Sequence, residues 1–174
     1  MSLVIRKFII QLSTKESLLL LGLFTLAVHG IIIPLAEGDL RAVSEGQQDI
    51  SGLLYFSTAS LAHDLEQFSD AGKSLYRFFL LSAGLAARTS LFSLLSLLAL
   101  WLKREKRFWS AVSPWFFPLI FLCCAYLEIG LLLFLIPLPA VDFPFLLQLT
   151  VIISWLKWIS LFVSILSLLI VFKK

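Results

Sequence analysis

Four apolar runs, each about twenty residues or longer, divide this chain and leave it little choice of fold. They cover roughly residues 17–36, 78–102, 109–136 and 143–172. About 20 such residues cross the hydrocarbon core of a bilayer as a helix. Lipid offers the backbone no hydrogen bonds, so a run of this kind must satisfy its own, as a helix does. The composition agrees: 60% of the 174 residues are hydrophobic and 14% are charged, where soluble domains carry about 25% charge. The expected fold is an all-α integral membrane protein. It is a four-transmembrane-helix antiparallel bundle, one membrane domain over residues 1–174.

Charge placement sets the expected orientation. Arg6, Lys7 and Lys15 precede the first run, Lys103, Arg104, Lys106 and Arg107 lie between the second and third, and Lys173 and Lys174 follow the last. The connection of about 37–77 instead carries Glu37, Asp39, Glu45, Asp49, Asp64, Glu66 and Asp70. Basic clusters at alternate connections are the positive-inside pattern. They put both termini in the cytoplasm and the 37–77 loop outside, with a bacterial inner (plasma) membrane as the expected location. Short flanking Lys/Arg clusters are ordinary in multispan proteins, so no nucleic-acid partner is expected. The first run is too long for a signal-peptide core and ends at a poor cleavage site, Pro34-Leu35-Ala36-Glu37, so an uncleaved helix is expected.

Within the outer loop, the stretch EGDLRAVSEGQQD reads as turn and cap residues. Beyond it, Leu54, Leu61, Leu65 and Phe68 recur at helical spacing, with Ser51 as a plausible N-cap. This predicts an extracytoplasmic amphipathic helix between the first two spans. It lies either on the membrane or bundle surface, or as a face offered to a partner.

Inside the spans, small and polar residues should face other helices, because lipid tails offer them nothing. The second run has Ser82, Ala86, Thr89, Ser93 and Ser96 at steps of three and four, and the fourth has Thr150, Ser154, Lys157, Ser160, Ser164 and Ser167. Both stripes are expected as helix-packing seams.

Ionisable residues within the runs are the sharper signal. Arg88, Glu128 and Lys157, with His29, sit deep in the four runs. Charge near the bilayer centre costs enough that such residues are functional candidates by default. Depth and side-chain direction predict an ion pair between Arg88 and Glu128. That leaves Lys157 to be neutral, to face a watery cavity, or to meet an anion from a lipid, a substrate or another subunit. Trp155 and Trp158 flank it and could stack on a cation.

The rest is exclusion. Cys123 and Cys124 are adjacent and poorly placed to bridge each other, and no zinc spacing or CxxC occurs. His63 lies in the outer loop, so His29 has no second transmembrane histidine with which to hold a haem. No catalytic serine, cysteine or metalloprotease motif is present, and no cofactor or metal is expected. Three functions follow in order of preference. The first is a non-enzymatic accessory or assembly subunit of a larger membrane complex, partnered by lipid and other integral membrane subunits, with its ion pair fixing helix packing. The second is a small transporter or channel component moving an anion or protons along a polar path. The third is a lipid-modifying or redox enzyme.

Overall fold

A computed structural model describes residues 14–43, 57–106, 116–139 and 142–173; among them the chain is all helix, with no strand. Four helices are long and apolar enough to cross a membrane. Helix α1 is Lys15–Val43. A short helix α2 covers Thr58–Glu66. Helix α3 runs on continuously through Asp70–Phe79, Leu80–Gly84 and Leu85–Lys106. Helices α4 and α5 are Phe116–Leu135 and Pro144–Lys173.

Local chemistry sets several ends. Thr14 caps α1 by accepting from the Ser17 amide at 3.1 Å, and Ser57 caps α2 by accepting from the Ser60 amide at 3.2 Å. Ser69 caps α3 by accepting from Gly72 at 3.1 Å, with Asp70 in the first turn where the helix dipole favours an anion. Pro144 occupies the first position of α5 and Pro118 the first turn of α4, where a missing N–H costs nothing. Ser51 and Leu54 lie outside the described residues, as do 109–115, so the expected earlier start of the third span does too.

Two helices are longer than expected. Helix α1 passes Ala36 and continues to Val43, through residues read as turn formers. Leu40 explains this: it is fully buried in the core, and Glu37 and Arg41 pair one turn apart at 3.5 Å. Tertiary burial outweighs the weak helix preference of Gly38 and Asp39. Likewise α3 begins at Asp70 rather than near residue 78, because Tyr76 and Phe79 carry its first turns into the core.

Each of these helices contains one π turn, Val28–Ile32 in α1 and Leu80–Gly84 in α3. Pro34 accounts for the first. Its ring would crowd the Gly30 carbonyl of a regular helix, and the chain slips by one residue just ahead of it, Ile33 N–H donating to Val28 O. The second π turn leaves the Gly84 carbonyl to a side chain, as described below.

The packing is uneven. Helices α4 and α5 make the most extensive contact, α3 packs on both, and α1 packs chiefly on α3. The main core gathers Leu40 of α1, Leu61 and Leu65 of α2, Tyr76, Phe79 and Leu80 of α3, and Leu132 of α4, with Leu147 of α5. Phe68, Tyr76 and Phe79 stack in series, with centroids 5.0 and 6.1 Å apart. A smaller cluster of Leu95, Ala99, Leu102 and Leu168 closes the other end between α3 and α5.

Two expectations change here. Leu61, Leu65 and Phe68, offered by the sequence as a partner surface, are buried in the chain's own core. Their stripe covers the ends of α3, α4 and α5, so it is not available to a partner. The seam expected on α3 is also displaced. Ser82 and Thr89 are exposed and Ala86, Ser93 and Ser96 half-buried, the Ser96 hydroxyl oxygen itself being buried, whereas Ala83, Gly84, Ala87, Arg88 and Ser90 are buried. The exposed hydroxyls tolerate this because each bonds the carbonyl four residues back, Ser82 to Phe78 and Thr89 to Leu85, both at 2.7 Å. On α5, Thr150, Ser154, Lys157, Ser160 and Ser164 do line the inner face, while Ser167 is half-buried.

Candidate functional site: a buried charge cluster beside a cleft

Between the two cores lies the cluster of ionisable residues. Arg88, Glu128 and Lys157 each fall within about three residues, or ~4 Å, of the middle of their span. All three are buried: 9% of Arg88, 2% of Glu128 and 3% of Lys157 is exposed. Lys157 makes a close salt bridge to Glu128, its Nζ 2.5 Å from Oε2. Ser154, one turn before Lys157, adds a hydroxyl hydrogen bond to the same carboxylate.

The partner of Glu128 in this bridge is thus the cation that the sequence left without an anion. The reason lies in helix packing. Glu128 and Lys157 are carried by α4 and α5, the pair in most extensive contact, and that contact sets both side chains at one height. Arg88, expected to hold Glu128, is the second cation acting on that carboxylate. Its Nη1 donates to the Gly84 carbonyl at 2.8 Å, at the end of the α3 π turn. Gly84 lets the guanidinium lie close: a Cβ there would stand 3.3 Å from Arg88 Nη1 and 3.3 Å from the Phe79 carbonyl. Lys157 Nζ also lies 5.3 Å from the Trp158 ring centroid, a cation–π contact.

The hydroxyls of α5 are mostly satisfied within the helix. Thr150 donates to Leu146 O at 2.8 Å, Ser160 to Lys157 O at 2.9 Å and Ser164 to Ser160 O at 2.7 Å. They let helices approach closely and need no ligand. Thr25 ties α1 to α3: its Oγ1 donates to Leu21 O at 2.8 Å and reaches Ser90 O at 3.4 Å.

A cleft of about 180 Å³ opens beside the cluster. His29, Ile33 and Glu37 of α1 form one wall, and Ala87, Arg88 and Leu91 of α3 the back. Phe121 of α4 and Lys157, Trp158 and Leu161 of α5 complete it. Both buried cations reach this surface; Glu128 does not line it. His29 is exposed in the α1 π turn with Nδ1 3.0 Å from Thr25 O, so it lies at the cleft edge rather than inside the charge cluster. Sequence reasoning had missed Glu37 as a member of this site. Its only signal was acidic charge one turn beyond Pro34, which the assumed helix end concealed.

Sequence reasoning also missed Tyr126. Its hydroxyl meets Thr89 Oγ1 at 2.7 Å on the outer surface of α3 and α4. Among the described residues no group of three His, Cys, Asp or Glu side chains could hold a metal ion. Cys123 is exposed, Cys124 is buried, and both are free thiols. Comparison with known protein families, curated proteins and solved structures gives no match to this chain.

Proposed function

We propose that this protein is a non-enzymatic accessory or assembly subunit of a larger membrane protein complex. Its spans alternate in direction across a bacterial inner (plasma) membrane, with both termini and the KREKR connection on the cytoplasmic side. The observation that carries this reading is the Thr89–Tyr126 pair. Tyr126 is 42% exposed and Thr89 is exposed, yet both lie within about three residues of the middle of their spans. In a solitary bundle these hydroxyls face lipid tails. Thr89 already donates to the Leu85 carbonyl, so Tyr126 donates to Thr89 and its own oxygen remains open to a donor on another helix. Polar groups of this kind join transmembrane helices, each adding about 1 kcal/mol. The charge cluster fits the same role: it holds the three best-packed spans in register and needs no substrate to do so.

The test is co-purification of the tagged chain from its own membrane in mild detergent. Other integral membrane proteins should accompany it in fixed ratio. Thr89→Val combined with Tyr126→Phe should release them without lowering the melting temperature of the chain itself. If the chain is isolated alone and by itself moves anions or protons into liposomes, the subunit reading fails. A carrier role along Arg88, Glu128 and Lys157 then replaces it. Orientation has its own test. Single cysteines introduced at Ser57 and Ser2, in a chain with Cys123 and Cys124 changed to serine, should react with an impermeant maleimide in intact cells only at Ser57. Labelling at Ser2 would reverse the orientation.

A further inference from the structure

We infer that the cleft binds an uncharged lipid of the hydrocarbon core, an isoprenoid alcohol or a quinol, whose hydroxyl donates to His29. This goes beyond a subunit role and holds whether or not the chain has protein partners.

The first argument is an open acceptor. His29 Nδ1 stands 3.0 Å from the Thr25 carbonyl oxygen. A carbonyl only accepts, so Nδ1 carries the proton and Nε2 of the neutral ring is an acceptor. No donor among the described residues reaches Nε2. His29 is the middle residue of α1 and lines the cleft. Hydrocarbon at that depth holds no water to complete the hydrogen bond. A ligand hydroxyl completes it. The second argument is charge. Arg88 and Lys157 in the lining both act on Glu128 behind it, and Glu37 in the lining adds a second carboxylate. Two cations and two carboxylates leave no charge for a ligand to match, and bringing a further ion out of water is costly. The ligand is therefore uncharged.

The third argument is depth. The hydrocarbon core is about 30 Å thick, so the middle of α1 lies ~15 Å from either polar surface. A phospholipid headgroup would have to leave its interface to reach His29. A lipid whose polar part is only a hydroxyl pays no such cost. The fourth argument is size and access. A space of about 180 Å³ is too small for a partner's helix, ~10 Å across, but accepts one small ring or the end of a prenyl chain. Ile33, Ala87, Leu91, Phe121, Trp158 and Leu161 give it apolar and aromatic walls. Helix α1 packs chiefly on α3 and meets α5 little. Leu26 on α1 and Phe162 on α5 are exposed and apolar, so a ligand enters sideways from the bilayer.

Trp158 in the lining supplies the readout. Purified full-length protein is placed in vesicles of phosphatidylcholine, which has no hydroxyl, and titrated with 9,10-dibromooctadecanol, whose bromines quench tryptophan. Its methyl ether keeps the chain and the bromines but cannot donate. The alcohol should quench saturably, and the ether should bind about tenfold more weakly for want of one hydrogen bond. His29→Leu, at an exposed position, should weaken the alcohol to the level of the ether and leave the ether unchanged. Trp158→Phe should remove the saturable part, and Leu91→Phe, which fills the cleft, should weaken both ligands. Competition with unbrominated lipids assigns the source. Relief of quenching by a decyl-substituted benzoquinol but not by farnesol assigns the site to a quinol, and the reverse assigns it to an isoprenoid alcohol. Relief by both supports the shared chemistry. Relief by neither, or by phosphatidylglycerol, overturns the proposal. Equal affinity for alcohol and ether also overturns it, as does a gap between them that survives in His29→Leu.

Discussion

Glu128→Leu should destabilise the protein by about 3–5 kcal/mol, the usual cost of breaking a buried ion pair by removing one partner. It should be the most damaging single change in the charge cluster. It removes the carboxylate that Lys157 bridges and on which Arg88 and Ser154 also act. Lys157→Met should cost less, because Arg88 remains in the field of the carboxylate. The pair Glu128→Leu with Lys157→Met should recover much of the loss, since apolar replacement of a whole buried pair is often neutral or stabilising. Recovery stays incomplete while Arg88 is present, and Arg88→Met added to the two should complete it. The measurement is unfolding in mixed micelles with increasing SDS, followed by tryptophan fluorescence. Equal stability of wild type and Glu128→Leu would show that the bridge contributes nothing. A double variant worse than Glu128→Leu would show that Lys157 has another anionic partner.

Tyr76→Ala should cost about 3–5 kcal/mol, the range for removing a large aromatic from a core. Tyr76 is fully buried and stacks on Phe68 and on Phe79. The damage spreads past one helix, because this ladder attaches the α2 region to the start of α3. The effect should therefore be local as well as global. Limited proteolysis should cut between residues 57 and 69 much faster in Tyr76→Ala than in wild type, while the spans stay protected. Tyr76→Phe keeps the stack, and it should cost about 1 kcal/mol for the hydroxyl. A variant that unfolds as wild type and resists protease would show that the ladder does not hold α2 in place.

The four spans were legible in the sequence because twenty apolar residues have few alternatives. The depth of Arg88, Glu128 and Lys157 was legible for the same reason, since counting along a helix gives height directly. The bridge from Lys157 to Glu128 was not. Arg88 and Lys157 lie at similar height, and seeing that Lys157 reaches the carboxylate requires knowing which helices pack most closely. Side-chain direction within one helix does not contain that information. The seam on α3 failed for a different reason. Ser82 and Thr89 can face outward because each is satisfied by its own helix, so a hydroxyl stripe does not identify an inward face. The stripe of Leu61, Leu65 and Phe68 was read with the correct period, but periodicity cannot say what covers it. Pro34 looked like a helix end, and the π turn before it turned an obstacle into a slip of one residue.

The bridge between α4 and α5 also bears on how the protein is made. Alone at the bilayer centre, Glu128 or Lys157 would oppose partition of its helix out of the translocon by about 2.5–3.5 kcal/mol. Only residues 136–143 connect the two helices, so the carboxylate and the ammonium can meet as soon as both have been synthesised. The helical hairpin then moves into lipid as one neutral unit. Arg88 has been synthesised on the helix just before these two, and it must stay in a wet or protein-lined setting until they arrive.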